Sequence, residues 1–153
     1  MVTEMTPTLD IDSLPAGPEL DRLVAERVMG LIPCSSRFYT PLIAGSCNVI
    51  TCEHTGITPL PCFDPKEPPP YSANISRAWE VVEKMQSIYQ DISVHSIEDE
   101  QGIRWMCDIA CWKKGKSEED FSDWTVKWQV DARAHSAPLA ICRAALRAKM
   151  EQP

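Results

Sequence analysis

The sequence has no long apolar run, few glycines and fewer basic than acidic residues. No segment approaches the roughly 18 consecutive apolar residues that would cross a membrane, and the N-terminus lacks the basic-then-apolar pattern of a secretion signal. We therefore expect a cytoplasmic protein. Lys and Arg number 15 against 22 Asp and Glu, for a net charge of −7, and they form no basic stripe. This balance argues against the binding of extended nucleic acid through its phosphates.

Common catalytic motifs are also missing from the sequence. There is no Gly-x-Ser-x-Gly elbow, no His-Glu-x-x-His zinc motif and no glycine-rich phosphate loop. His135 and Ser136 are neighbours in sequence, but a catalytic pair is defined by its geometry in space. Cys142 falls on the predicted buried side of a helix, where a thiol is unreactive. The sequence therefore favours a non-catalytic protein.

The sequence does contain enough apolar residues for one folded domain. Of its 153 residues 44% are apolar, which is typical of a globular chain. Residues 1–16 are polar and aperiodic, and they are predicted to form a flexible arm. The domain then covers residues 17–153 and includes a long irregular insert, residues 31–70, that is rich in proline and cysteine.

A central helix has the clearest signal in the chain. Three prolines, Pro68 to Pro70, precede it, and Asn74 is a suitable N-cap because its side-chain oxygen can accept from first-turn amides. Apolar residues at helical spacing predict one buried stripe: Ile75, Ala78, Trp79, Val82 and Met85. On this pattern Trp79 belongs to the core.

The remaining elements complete an α+β order of α-α-β-β-β-α. A first helix is predicted from Pro18 to Met29, and a last helix begins with Ser136 as its N-cap. Alternating apolar residues predict strands over Asp91–Ile97, Ile103–Trp112 and Asp123–Asp131. A three-stranded antiparallel meander cannot cover its own apolar surface, so the helices must pack on it. Periodicity alone allows them on one face or on both.

Three blocks of the sequence carry a family resemblance. Tyr71–Ile75 followed by Ala78–Lys84 resembles the "YSTDI…AWEVVEK" block of the phage ABA-sandwich domain family, and Leu23–Gly30 and Ala137–Leu146 match further blocks in the expected order. Ala73 and Asn74 depart from that pattern, because Thr-Asp is usual there. The resemblance implies an α/β/α sandwich, with helices on both faces of the sheet, and a phage or prophage origin. It does not imply a reaction.

The insert is a candidate metal site. It holds four of the seven cysteines and one of the three histidines, and the potential ligands are Cys34, Cys47, Cys52, His54 and Cys62. Thiolates and an imidazole could close a tetrahedral zinc site that replaces a missing core. However, no Cys-x-x-Cys pair is present, and small cysteines also pack under loops as weak hydrophobes. A structural zinc is therefore one of two interpretations.

Two helix N-termini are candidate ligand-binding sites. Free first-turn amides and the helix dipole attract anions, and the residues that open these helices are Tyr71, Ser72, Asn74, His135 and Ser136. If both helices start at one edge of the sheet, they could bind two phosphates while Tyr71 stacks on a base. The alternative is that these residues only cap their helices.

Tryptophan is the third feature, with five residues in the chain. Their positions assign four of them to the core: Trp79, Trp105, Trp124 and Trp128. Trp112 falls on the other face of its strand beside Lys113 and Lys114, and we expect it to offer a partly exposed stacking surface.

These features favour a non-catalytic phage accessory protein that binds a small anionic, nucleotide-derived ligand. In its sharpest form this protein is a sponge that sequesters a bacterial immune signal. The alternative is a protein-interaction module that docks on a host target through residues 31–70. A nucleotide hydrolase has the least support. In each case we expect a homo-oligomer.

Overall fold

The computed structural model of the protein describes residues 10–33, 37–40, 49–52, 62–89, 91–113 and 125–151. It confirms the predicted α+β class, with three helices and a three-stranded antiparallel sheet. The helices are α1 (Pro18–Leu23), α2 (Ile75–Gln86) and α3 (Ala137–Met150). The strands are β1 (Ile32–Pro33), β2 (Arg37–Thr40), β3 (Val49–Cys52), β4 (Cys62–Phe63), β5 (Asp91–Asp99), β6 (Gly102–Lys113) and β7 (Thr125–Ala134).

The main sheet has the strand order β5-β6-β7, as expected of a meander. The β5–β6 hairpin turns at Gly102, whose φ of 94° is a conformation that residues with a side chain rarely adopt. The pairing of β5 with β6 is regular from Asp91 to Asp99. A bulge interrupts the pairing of β6 with β7 between Cys111 and Trp112. Since β7 ends at Ala134, opposite Trp105, the hairpin tip extends beyond the third strand.

One face of the sheet carries the core. Its buried strand residues are Cys107, Ile109, Val130, Ala132 and Ala134. Helix α3 packs on β6 and β7, α2 packs on α3 and β5, and α1 contacts α3. Because α3 lies between the sheet and the first helix, almost all of its residues from Ala137 to Ala148 are buried. On the described part of the opposite face, polar residues such as Ser93, Gln129 and Arg133 are exposed.

The first helix is shorter and less regular than the predicted span from Pro18 to Met29. After Leu23 the chain continues as a π-helical turn over Val24–Val28, in which the amide of Met29 donates to the carbonyl of Val24. The turn ends at Gly30, whose φ is 69°. The segment nevertheless buries Leu20, Val24 and Val28, as the apolar spacing predicts.

Helix α2 begins where the sequence predicts but shows a different face to the core. Its buried residues are Ala78, Val81, Val82 and Met85, whereas Trp79 is 50% exposed and Ile75 is 53% exposed. Residues two apart on a helix point about 160° away from each other, so burial of Val81 turns Trp79 outward. The prediction that Trp79 belongs to the core is therefore wrong.

The described part of the predicted arm, residues 10–16, packs against α3. Ile11 is buried in a short 3₁₀ turn, and the Arg143 guanidinium donates to the carbonyl of Leu14 at 2.8 Å. Arg147 also forms an ion pair with Asp12. This end of the arm is thus part of the domain.

The insert contains short strand pairs in addition to irregular chain. Strands β1 and β4 are parallel, with Ile32 opposite Cys62 and Pro33 opposite Phe63. Strands β2 and β3 form an antiparallel pair. Phe63 is buried in the core, so the pairing of β1 with β4 ties the two ends of the insert to the domain.

Candidate functional site

The residues that open α2 are used by the fold itself. The Asn74 side-chain oxygen accepts from the amides of Ser76 at 2.9 Å and Arg77 at 3.2 Å, which is the predicted N-cap. Tyr71 is only 2% exposed and Ser72 is fully buried. Burial, followed by the nearby Glu80 carboxylate, raises the pKa of the Tyr71 phenol. Neither Tyr71 nor Ser72 offers a surface on which a ligand could stack.

Ser72 belongs to a buried polar network that joins three segments. The Gly17 amide donates to Ser72 Oγ at 2.9 Å, and the Ser72 amide donates to Asp21 Oδ1 at 2.6 Å. Burial raises the pKa of the Asp21 carboxyl, and hydrogen bonds from Ser72 partly oppose this rise. The network holds the end of the arm, α1 and the start of α2 together. The prediction that Tyr71 and Ser72 contact a ligand is contradicted by their burial and, for Ser72, by its role in this network.

The start of α3 has different properties. Ser136 is the half-buried N-cap, but its side chain makes no capping hydrogen bond, and His135 beside it is exposed. Pro138 has no amide hydrogen, and the Ala140 amide donates to the carbonyl of Ser136 at 3.1 Å. The first amides of a helix have no acceptor within it, because a helical amide donates to the carbonyl four residues earlier in the chain. Of the two predicted N-termini, α3 is the one without a side-chain cap.

An exposed tryptophan lies beside the start of α3. Trp105 is directly opposite Ala134, the last residue of β7, and it remains 36% exposed. Two residues earlier in β6, Ile103 is 72% exposed. Trp105 thus lies at the end of β7 and Ile103 lies beyond it. Strand alternation assigns Trp105 to the core. Its exposure was not predicted, because the sequence does not show where α3 stops covering β6.

Trp112 is distant from this site. It is half-buried and lies opposite Val126, beyond the bulge. Seven residues separate it from Trp105, which corresponds to about 24 Å along a strand. Trp112 therefore does not join His135 and Ser136 in one pocket.

The start of α2 does not complete a shared pocket either. Tyr71 is close enough to Cys142, in the second turn of α3, for the two side chains to interact electrostatically. From there the chain runs through α2 to Tyr89, three residues after the helix, whose ring contacts Trp128 edge-on at a centroid distance of 4.9 Å. Asn74 lies on the surface but is occupied by capping. The strand register thus brings Ala134, which precedes His135 and Ser136, opposite Trp105, whereas Tyr71 and Ser72 are buried and Asn74 caps α2.

A Ser, His and Asp set is present on the open face of the sheet. Ser93 Oγ donates to Asp108 Oδ2 at 3.3 Å, and His95 Nδ1 lies 3.8 Å from the same oxygen. In a nucleophilic triad the histidine bonds to the serine, whereas here both contact the carboxylate. This arrangement does not activate the Ser93 hydroxyl.

The predicted zinc ligands fall largely outside the described residues. Cys34, Cys47 and His54 lie there, and of Cys52 only the backbone in β3 is described. Cys62 is half-buried in β4. Within the described ranges no three His, Cys, Asp or Glu side chains are grouped to hold a metal ion. A zinc site in the insert stays a prediction.

The fold is a small α+β domain in which helices cover one face of the main sheet in the described part of the chain. Its surface presents an uncapped helix start beside an exposed tryptophan. The family model of the phage ABA sandwich domain matches residues 22–146. The chain therefore belongs to the phage ABA sandwich domain family. Searches of curated proteins and of solved structures found no significant match. No helix in the part of the chain that the structure describes is long and apolar enough to cross a membrane.

Proposed function

We propose that this phage protein is a non-catalytic accessory protein that binds a small anionic, nucleotide-derived ligand at the start of α3. The observation that carries this proposal is the exposed Trp105 beside an N-terminus that lacks a side-chain cap. We further propose that the protein acts inside the infected bacterium as a sponge, lowering the free concentration of an immune signalling nucleotide. This role needs tight binding and no chemical step.

The start of α3 supplies the anion-binding part of the site. Amides in the first turn point along the helix axis, and the helix dipole adds a partial positive charge there. The Ser136 hydroxyl is free of capping and can donate to a phosphate oxygen. The exposed imidazole of His135 adds a second donor. The net charge of −7 does not prevent this contact, because charges further away than about 10 Å are screened by salt.

Trp105 supplies the aromatic part. Indole rings stack on nucleobases irrespective of base identity, and each such contact is worth about 1–3 kcal/mol. Arg104, its neighbour, is already bonded to Asp99 and Gln101 and is not needed for the proposed contact. A ligand with a base and one or more phosphates fits an aromatic ring beside a helix start better than a simple metabolite phosphate does.

Mass spectrometry tests the proposal with candidate cyclic nucleotides and ADP-ribose derivatives. The protein is incubated with each compound, washed and heated, and the released compound is identified. Recovery of the intact compound supports a sponge, whereas an altered product indicates a hydrolase. If no candidate is retained, the nucleotide proposal is wrong.

Calorimetry on variants then tests the location of the site. Trp105→Ala should weaken binding by roughly 5- to 150-fold, and Ser136→Ala by roughly 2- to 10-fold. Trp79→Ala is the matched control, because Trp79 is a similarly exposed tryptophan on another element. Equal losses in Trp105→Ala and Trp79→Ala would contradict this placement. Circular dichroism confirms that each variant is folded.

A second candidate function is a protein-interaction module that uses the insert. The parallel pairing of β1 with β4 favours this function, because it holds the two ends of residues 34–61 side by side on the domain. Replacing these residues with a short glycine-serine linker should then remove binding to a host protein without unfolding the domain. Retained ligand binding in that variant would show that the insert is not needed for the nucleotide site.

A further inference from the structure

Two polar residues of β5 lie beside Trp105 on the same face of the main sheet. The register places Ser96 directly opposite Trp105, and it places Glu98 directly opposite Ile103. Directly opposite residues of antiparallel strands project to the same face, with their Cβ atoms about 5 Å apart. Ser96 and Glu98 are both exposed, as Ile103 is and as Trp105 is in part. The surface around Trp105 therefore extends from β6 onto β5.

The described part of the fold does not use the hydrogen-bonding groups of Ser96 and Glu98. No described residue forms a hydrogen bond or an ion pair with the Ser96 hydroxyl or the Glu98 carboxylate. The next carboxylate, on the opposite face, differs: Asp99 accepts from Arg104 Nε at 2.9 Å and from the Gln101 amide at 2.8 Å. An exposed glutamate is ordinarily only solvated, but this one is a diagonal neighbour of an exposed tryptophan. Its two oxygens are available to a ligand that stacks there.

A carboxylate distinguishes the nucleobases by their donors. It is acceptor-only and can accept two parallel hydrogen bonds from adjacent donors. Guanine presents two such donors on one edge, N1–H and the N2 amino group, followed by the acceptor O6. Adenine, cytosine and uracil each present an acceptor next to a donor, so one carboxylate oxygen would face a lone pair. Guanine is therefore the base that complements a carboxylate with a hydroxyl beside it.

We propose that the ligand of the Trp105 site is a guanine nucleotide. The base stacks on Trp105, its N1–H and N2 amino groups donate to the Glu98 carboxylate, and the Ser96 hydroxyl donates to O6. The inference rests on the proposed function of this site and adds the identity of the base to it.

The strand order accommodates the base and a phosphate at the same time. A base stacked on the side of the indole towards Ile103 faces Glu98 across the hairpin. On the other side of Trp105 lies Ala134, two residues before Ser136. Strands β5 and β7 are two strand spacings apart, about 10 Å, which is close to the distance between the hydrogen-bonding edge of a base and the 5′ phosphate of the same nucleotide. Repulsion between Glu98 and the phosphate favours this orientation over the reverse one.

Calorimetry on the full chain with three nucleoside 5′-monophosphates tests the choice of base. Inosine monophosphate differs from guanosine monophosphate only in lacking the N2 amino group. It should bind roughly 10- to 100-fold more weakly, because one hydrogen bond to a charged group is lost. Adenosine monophosphate should bind more weakly still, since its N1 lone pair faces the carboxylate.

Glu98→Gln tests the role of the carboxylate, since glutamine has nearly the same shape but only one acceptor oxygen. The affinity for guanosine monophosphate should fall by roughly 10-fold or more, while the affinity for adenosine monophosphate should not fall. Glu100→Gln is the matched control, because Glu100 is an exposed glutamate in the turn of the same hairpin, and it should keep the wild-type preference. Circular dichroism checks that both variants are folded.

The outcomes separate the base from the site. Equal affinities for the guanosine and inosine nucleotides, equal losses in Glu98→Gln and Glu100→Gln, or no binding of any of the three nucleotides would overturn the guanine assignment. Recovery of an adenine compound alone in the mass spectrometry test would overturn it too, but would leave the proposed function in place. The proposed function fails only if that test retains none of its candidates.

Discussion

The buried carboxylate of Asp21 allows a quantitative test of how the domain is held together. Asp21 is 3% exposed and accepts a hydrogen bond of 2.6 Å from the Ser72 amide. In Asp21→Ala this amide and the Ser72 hydroxyl lose their acceptor in a site that water does not reach. Each unsatisfied buried group costs about 1–3 kcal/mol, so we expect a loss of about 2–4 kcal/mol in the free energy of unfolding.

Asp21→Asn separates the hydrogen bond from the charge. The amide oxygen of asparagine can still accept from the Ser72 amide, but no charge is buried. Because the folded-state pKa of Asp21 is raised, its favourable contribution is complete below the unfolded pKa and is lost as the pH rises through the folded value. Relative to Asp21→Asn, wild type should therefore lose stability as the pH rises from about 4 towards neutral.

Urea unfolding at a series of pH values measures both effects. Glu19→Gln controls for the loss of one negative charge, since Glu19 is exposed on the same helix. At neutral pH the order of stability should be Asp21→Asn at or above wild type, and Asp21→Ala below both. If wild type instead gains stability over Asp21→Asn as the pH rises, hydrogen bonding outweighs burial at this site and the reasoning fails.

Three further predictions concern the core, the thiols and the insert. Met85→Ala should lower the free energy of unfolding by about 2–5 kcal/mol, whereas Trp79→Ala measured in dilute solution should lower it by under about 1 kcal/mol. Similar losses for the two variants in thermal or urea unfolding would contradict the observed buried face of α2. Burial raises the pKa of Cys107 to about 12 and that of Cys142 further, so both thiols should resist alkylation at neutral pH until the protein unfolds. Mass spectrometry measures the labelling, and rapid labelling of either thiol in the native protein would refute this prediction. If the insert binds zinc, protein prepared without chelator should contain near-stoichiometric metal, and chelation should speed proteolysis within residues 31–70 first; elemental analysis that finds no metal would exclude the site.

Much of the architecture follows from local sequence pattern. The three strands, the start of α2 at Asn74 and the start of α3 at Ser136 are all visible as alternation, helical spacing and capping residues. These signals are local, because each depends on residues within one or two turns. The face that a helix buries is not local. Half of the 12 residues of α2 are apolar, and the contacts of the helix with α3 and β5 select the side of Val81 over that of Trp79.

The candidate site was harder to predict for the same reason. Whether Ser72 caps a helix, binds a ligand or joins a buried network depends on Asp21, which lies 51 residues earlier in the chain. The exposure of Trp105 depends on where β7 ends relative to β6, which strand alternation does not indicate. His135 and Ser136 could be identified from sequence because a helix start is encoded by adjacent residues.

The arginines on α3 set a limit on how far the chain can assemble. A protein with two bare sheet edges can add copies at both ends and grow into an open-ended fibre, as cross-β filaments do. With Arg143 and Arg147 bonded to carbonyls of β7, the main sheet cannot add a further strand at this edge without breaking those contacts. Loss of both guanidinium groups would remove this obstacle.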